Sequence, residues 1–130
     1  MTDLQVPVSP GELLDKITIL RIKSRRMSEA AKVANVRLEL ELLERTWATL
    51  GAATSQVLAD EQALQQVNEQ LWDIEDKIRD KEAARSFDQE FIELARAVYH
   101  RNDERAAIKK RVNLALGSRI VEEKSYQPYQ

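Results

Sequence analysis

Hydrophobic residues recur at alternating three- and four-residue steps along two long stretches of the chain. This spacing is typical of α-helices that pack along one face. It predicts one helix from about Glu29 to Leu50 and another that ends near Ala84. The two apolar seams consist of Val33, Val36, Leu40, Leu43, Trp47 and Leu50, and of Leu64, Val67, Leu71, Ile74 and Ile78.

An earlier helix starts at Ser9-Pro10. Ser9 is a good N-cap, Pro10 suits the first helical position, and Glu12 stands where it can complete a capping box. The apolar residues that follow point in nearly every direction around the helix, so we expect it to be buried on most sides. Asp15 and Lys16 then fall among apolar positions, and we expect both to be at least partly buried.

Local signals mark the remaining boundaries. We place a break near residues 26–28, with Ser28 as the next cap, although no Gly or Pro marks it, and a linker at residues 51–55.

Asp88 is the predicted N-cap of the last helix, with Phe87 packing on its first turn near Ile92. Gly117 follows the end of that helix. A short tail, residues 118–130, then offers Ile120, Val121, Tyr126 and Tyr129 for docking across the bundle.

Composition agrees with a helical protein. The chain has 130 residues, 32% of them charged, with three Gly and three Pro. This favours long helices over turn-rich β architecture, and the length suits one domain. We therefore predict a single all-α domain, residues 1–130, folded as an antiparallel bundle of four to five helices with a short C-terminal tail.

The apolar stripe of the last helix is interrupted in its middle. Inward positions run through Phe91, Ala95 and Val98, and resume at Val112 and Leu116. Between them the same face carries Asn102, Arg105 and Lys109. Three polar groups on a buried face are costly unless they are paired or bind a ligand. The alternative is that the helix breaks near Asn102, which would leave the two cations in solvent.

These residues define the candidate ligand-binding site. Arg105 and Lys109 in a partly dry cleft suit a carboxylate or phosphate. Tyr99 and Asn102 would orient that anion, and Asp15 would hold the cations in place. Lys16 and Glu75 complete the candidate set. The competing interpretations are that Asp15 forms a structural ion pair and that Glu75 pairs with Arg79 on an exposed helix flank.

Several classes of function are disfavoured. A net charge of -2 argues against a general nucleic-acid binder, although basic and acidic segments alternate along the chain. The absence of cysteine excludes disulfides and thiolate zinc sites. No apolar run approaches the length of a membrane span and no signal peptide is evident, so we expect a cytoplasmic protein.

Metal and nucleophilic chemistry have little support in the sequence. Acid pairs such as Asp73/Asp76 loosely match magnesium motifs but point away from their helix seams. His100 has no Ser or Cys partner in a recognisable motif and is expected at the surface. We predict no metal site and no cofactor, and assign no catalytic residue.

Four segments together resemble an uncharacterised family of small bacterial proteins. They are GELLDKITIL at 11–20, LWDIEDKIR at 71–79, NDERAAIK at 102–109 and GSRIVEEKSY at 117–126. Some members of that family lie near glycosyltransferases of surface-polysaccharide synthesis, so the resemblance implies a single-domain bacterial protein with a weak contextual link to that process. It supplies no catalytic residue.

The leading hypothesis is a cytoplasmic helical module that binds a partner protein or a small anionic ligand. The alternative is a small all-α metal-dependent enzyme that acts on a nucleotide or sugar phosphate through Glu75 or Asp76. A third hypothesis is a homodimer formed through the Val36–Leu50 seam. The sequence identifies neither the ligand nor the oligomeric state.

Overall fold

Four α-helices account for most of the chain. The computed structural model describes residues 2–129, so Met1 and Gln130, the two ends of the predicted domain, lie outside it. The described residues contain no strand, which confirms the all-α class. The helices are α1 (Pro10–Arg26), α2 (Ala30–Ala48), α3 (Ser55–Ala83) and α4 (Gln89–Ala115).

The bundle is built around α1. Helix α1 packs on each of the other three helices, while α3 and α4 pack on each other. Contacts of Arg21 with Glu61 and of Arg26 with Asp73 show that α1 and α3 run in parallel. Within residues 2–129, α2 packs on no helix except α1. The fold is therefore an α1–α3–α4 bundle with α2 laid against α1.

The core lies where α1, α3 and α4 meet. Half-buried Trp47, Leu71 and Leu116 pack around it. Trp47 and Val36 both belong to the apolar seam of α2. Since Val36 is buried and Trp47 packs on the core, these seam residues contact the rest of the same chain. Leu50, at the C-terminal end of the same seam, is exposed. The buried cluster is Leu14, Leu64, Val67, Ile108 and Val112.

Helix α1 is buried on most sides, as its apolar pattern predicts. Asp15 is 1% exposed, which confirms the prediction for this residue. Lys16 is exposed, so its predicted burial is wrong. It lies on a strip of α1 that also carries half-buried Ile19 and Lys23 and that the neighbouring helices leave open to solvent.

The predicted caps of α1 and α4 are confirmed. The Ser9 hydroxyl accepts a hydrogen bond from the Glu12 N–H at 3.1 Å, and Asp88 accepts one from the Phe91 N–H at 3.0 Å. The Glu12 carboxylate does not complete a capping box but accepts a hydrogen bond from Lys109 of α4. Phe87 contacts Phe91 edge-to-face at 5.2 Å, so it packs on the first turn of α4 as predicted.

The other boundaries agree with the sequence except at one cap. The predicted break between α1 and α2 exists, but the N-cap position is Glu29, not Ser28. The 51–55 linker leads into α3, which Thr54 caps through its hydroxyl. Gly117 follows α4 with φ +66°, the left-handed conformation that commonly closes a helix.

The basic end of α1 is ion-paired with α3. Arg25 bonds Glu69 and Arg26 bonds Asp73, each at 2.5 Å. These side chains are substantially exposed, and such pairs contribute about 0–1 kcal/mol each. Their main effect is to favour one alignment of α1 against α3.

No helix within the described residues is long and apolar enough to cross a membrane.

Gly11 allows α1 and α4 to approach closely. A Cβ atom at this position would lie 2.5 Å from the Lys109 carbonyl oxygen and 2.9 Å from Asn113 Oδ1. The Gly11 N–H, one of the donors that a helix start leaves unpaired, donates to Asn113 Oδ1 at 2.7 Å. The contact sets the spacing on which the polar α1–α4 interface depends.

We expect Gly11→Ala to destabilise the protein by about 2 kcal/mol, because the added methyl group meets backbone atoms that cannot move independently. Urea denaturation of the full chain measures this change. In the control Gly51→Ala, the new Cβ meets nothing within 4 Å, so the cost is limited to the positive φ, about 1 kcal/mol. Unchanged or increased stability of Gly11→Ala would show that the helices are not in close contact.

The start of α4 is expected to be acid-sensitive. Hydrogen bonds from Lys81 and from the Phe91 N–H lower the pKa of Asp88 to about 2. A carboxyl with a lowered folded-state pKa stabilises the fold above its unfolded pKa, and this contribution is lost as pH falls through the folded pKa. NMR titration of the Asp88 carboxyl carbon should give a midpoint near 2, and Lys81→Gln should raise it. A midpoint at the ordinary value of 3.8 would contradict this cap geometry.

Candidate functional site

Helix α4 is continuous through Asn102, from Gln89 to Ala115. The alternative of a break at this point is therefore wrong. Ile108 and Val112 carry the α4 contribution to the core, while Arg105 and Lys109 lie on the side that meets α1. Phe91, Ala95 and Val98 are half-buried and are not fully inward. The interruption is thus a polar face of α4 turned toward α1.

A buried carboxylate and a guanidinium form the centre of this interface. Arg105 donates from Nε to Asp15 Oδ1 at 2.9 Å and from Nη2 to Asp15 Oδ2 at 2.5 Å. The Arg105 side chain is 30% exposed, so it reaches from the buried carboxylate to the surface. The hydrogen bond to Asp15 raises the pKa of Arg105, against the effect of burial. The pair is bidentate and side-on, the arrangement that best fixes a guanidinium plane.

Helix α3 completes the coordination of Asp15. Asn68, which is also buried, donates from Nδ2 to Asp15 Oδ1 and to Thr18 Oγ1, both at 2.9 Å. Thr18 in turn donates to the Asp15 carbonyl at 2.8 Å. A buried charge is tolerated when it is paired and hydrogen-bonded. Three helices therefore contribute to one satisfied polar cluster.

Lys109 lies one turn further along α4, among three carboxylates. Its Nζ is 2.7 Å from Glu12, 2.9 Å from Glu122 and 3.9 Å from Asp15. Burial lowers the pKa of Lys109, but the hydrogen bonds to Glu12 and Glu122 outweigh it, so the pKa lies above its ordinary value. Lys109 thus remains charged at neutral pH.

The C-terminal segment, residues 118–129, runs back along α4. Glu122 reaches Lys109, and the Tyr129 hydroxyl donates to Asp103 near the middle of the helix. Tyr129 also contacts His100 edge-to-face at 5.1 Å. Tyr126 is 82% exposed, so the prediction that it docks across the bundle is wrong. The segment is held mainly by polar contacts at the surface.

A cleft of about 830 Å³ lies between α4 and the C-terminal segment. Its wall combines three carboxylates, three cations and three tyrosines. The lining residues are Glu12, Val98, Tyr99, Asn102, Asp103, Arg105, Ala106, Lys109, Glu122, Lys124, Tyr126, Gln127 and Tyr129. A cavity of this size, with a few convergent polar groups, is typical of a small-molecule site.

Four of the seven predicted site residues line this cleft. They are Tyr99, Asn102, Arg105 and Lys109. Asp15 lies directly behind Arg105 and holds it, as the sequence predicts. Lys16 and Glu75 are not among the lining residues: both are exposed, and Glu75 is 3.7 Å from Arg79 on the surface of α3. The structure therefore agrees with the ion-pair interpretation of Glu75.

The acid-pair motifs are not part of a larger group of potential metal ligands among the described residues. Within residues 2–129, no group of three or more His, Cys, Asp or Glu side chains is placed to hold a metal ion. Asp73 and Asp76 are exposed on α3. His100 lies at the surface, as expected, beside Tyr129.

The sequence-predicted site lacks four residues of this polar interface, which are Glu12, Thr18, Asn68 and Glu122. Asn68 falls between Leu64 and Leu71 on the α3 seam, the same kind of polar interruption that marks Arg105 on α4. That signal was available in the sequence. Glu122 lies outside any helix, where periodicity gives no information, so its contact with Lys109 requires the three-dimensional path of the C-terminal segment.

We expect Arg105→Met to cost about 3 kcal/mol at neutral pH, because it leaves a buried carboxylate without its cation. Urea denaturation of the full chain at neutral pH measures this change. Arg101→Met is the matched control: Arg101 pairs with Glu104 at the surface of the same helix, and its loss should cost about 0.5 kcal/mol or less. Equal costs for the two variants would contradict a structural role for the Asp15–Arg105 pair.

Comparison with known proteins gives a family but no activity. No curated protein and no solved structure shows significant similarity to this chain. A family of unknown function, DUF6165, matches residues 4–129, a range that takes in all four helices and the C-terminal segment lining the cleft. The chain therefore belongs to the family of unknown function DUF6165.

Proposed function

We propose that this protein is a binding module whose cleft takes a small molecule with an anionic group. The single observation that carries the proposal is the geometry of Arg105. Its Nε and Nη2 bind the buried Asp15, while Nη1 makes no hydrogen bond to any of the described residues. A guanidinium fixed along one edge presents a second pair of N–H donors along the other.

Lys124 supports the same proposal. It lines the cleft, and its Nζ is 3.6 Å from Asp103 and 3.5 Å from the Asn102 carbonyl, both weak contacts. Its charge is therefore accessible to a ligand. By contrast, Lys109 already contacts two carboxylates closely. Arg105 and Lys124 are the cations with free donor capacity for an added oxyanion.

The rest of the lining suits a ligand with a polar ring attached to the anion. Tyr99 and Tyr129, with ring centroids 6.4 Å apart, form part of one wall. Aromatic rings supply contact area at small conformational cost, and their hydroxyls can bond a polar ligand. Asn102 adds an amide donor and acceptor beside them. We thus propose a phosphorylated or carboxylated ring compound, sugar phosphates included, as the ligand class, bound in the cytoplasm.

The proposal assigns binding and no reaction. A role in surface-polysaccharide synthesis would agree with sugar phosphates as ligands, and the family resemblance is the motive for including them among the test compounds. No observation favours the metal-dependent alternative, because Glu75 and Asp76 lie outside the cleft.

Thermal unfolding with inorganic phosphate, glucose 1-phosphate and UDP-glucose tests the proposal. A ligand at about 100 times its dissociation constant should stabilise the folded chain by about 2.7 kcal/mol. Arg105→Lys keeps a positive charge beside Asp15 but removes the second pair of guanidinium N–H donors. Lys124→Gln removes the positive charge of Lys124 from the cleft wall. Each variant should weaken binding about tenfold, since a charge-assisted hydrogen bond contributes on the order of 1.5 kcal/mol.

Arg101→Lys is the control, since Arg101 is on the same helix but is not among the lining residues. Binding that is unaffected by Arg105→Lys and Lys124→Gln would place the site elsewhere. No stabilisation by any of the three compounds, or by an extended panel of phosphate esters and carboxylates, would overturn the proposal.

A further inference from the structure

Glu122 brings a third carboxylate to the cations of the cleft. Lys109 and Arg105 supply two positive charges, while Glu12, Asp15 and Glu122 supply three negative ones. Two carboxylates from α1 already balance the two cations. The Glu122 carboxylate therefore adds a charge that the buried cluster does not need for neutrality.

The three carboxylates differ in how firmly they are held. Asp15 is fully enclosed, and Glu12 lies in the first turn of α1, whose position the Gly11 contact fixes. The Glu122 side chain is 59% exposed and belongs to a segment without regular structure. Of the carboxylates that contact Lys109, Glu122 can leave with the least disturbance to the bundle.

The C-terminal segment is attached weakly to α4. Besides Glu122, its polar side-chain contacts with α4 are the Tyr129–Asp103 hydrogen bond and the long Lys124 contacts to Asp103 and the Asn102 carbonyl. Exposed pairs of this kind contribute about 0–1 kcal/mol each. The Tyr129 ring also contacts His100 and Tyr99 at the surface, but Ile120, Tyr126 and Tyr129 are all exposed, so none of them is buried in the core. Moving this segment is therefore far less costly than moving a helix.

We propose that the Glu122 carboxylate occupies the position of a ligand's acidic group on Lys109. An oxyanion that enters the cleft displaces the Glu122 carboxylate and takes its place on Lys109, while Lys124 and Tyr129 keep the C-terminal segment on α4. The Glu122–Lys109 contact is thus an internal competitor for Lys109 in the absence of ligand. This inference rests on the proposed anion-binding function, and adds which contact the anion breaks.

The chemistry of the replaced group limits the class of ligand. A carboxylate oxygen 2.9 Å from Nζ marks a place for one oxyanion oxygen. A phosphate monoester carries more charge than a carboxylate at neutral pH and would compete with Glu122 more strongly. Acetate and inorganic phosphate are therefore suitable paired probes, and phosphate should bind more tightly.

Glu122→Gln tests the proposal by removing the competing charge while keeping the side-chain size. NMR titrations with inorganic phosphate and with acetate, at constant ionic strength, would follow the amide signals around Arg105 and Lys109. We expect Glu122→Gln to bind phosphate about tenfold more tightly than the wild type, the effect of losing one charge-assisted competitor. Glu123→Gln is the matched control: it makes the same charge change at the neighbouring position, outside the cleft lining.

The outcomes separate the two proposals. If the wild type binds phosphate, but Glu122→Gln binds no more tightly than Glu123→Gln, only the competitor proposal is overturned. If neither the wild type nor Glu122→Gln binds phosphate or acetate, the competitor proposal is overturned and the anion site loses its support as well.

Discussion

The ion pair between Asp15 and Arg105 is the interaction on which the rest of the structure depends. It joins α1, the helix with the most buried residues, to the polar face of α4, and Asn68 adds a hydrogen bond from α3. A buried carboxylate without its partners would be strongly destabilising. The pair therefore favours the one alignment of α1, α3 and α4 in which all three groups meet. The contact of Gly11 with Lys109 and Asn113 supports the same alignment.

The Asp15–Arg105 pair also positions a residue of the candidate site. Because Asp15 takes the Nε and Nη2 edge of Arg105, the guanidinium is held in place at the border of the cleft, and its Nη1 makes no hydrogen bond to the described residues. Preorganised donors of this kind lose little conformational freedom when a ligand binds. Structural and functional interpretations of Asp15 are thus compatible here: the carboxylate stabilises the bundle and orients the cation.

Much of the fold was predictable because its signals are local. The N-caps Ser9 and Asp88 can be recognised from residues close to them in the sequence. The apolar seams are likewise repeats within single helices. Helical periodicity also placed Asp15 and Arg105 on faces predicted to be buried, where a charged group needs an ionic or hydrogen-bonding partner. Helical periodicity does not show which neighbouring helix covers a given side of α1. Lys16 is exposed because α2, α3 and α4 leave uncovered the side of α1 that carries it.

Other residues could not be identified from the sequence because their roles depend on contacts between distant parts of the chain. Asp60, a second buried carboxylate, is held by Arg111 at 3.1 Å, and nothing in the acidic stretch around it marks it as buried. Glu122 joins the site through a segment without periodicity.

The central claim is that Arg105 binds Asp15 along one edge and an anion along the other. A crystal structure of the full chain grown with inorganic phosphate tests it most directly. The account predicts a phosphate oxygen about 3 Å from Arg105 Nη1, with the Nε and Nη2 bonds to Asp15 intact. An Arg105 side chain that leaves Asp15 to reach the phosphate, or a phosphate bound away from Arg105, would contradict it.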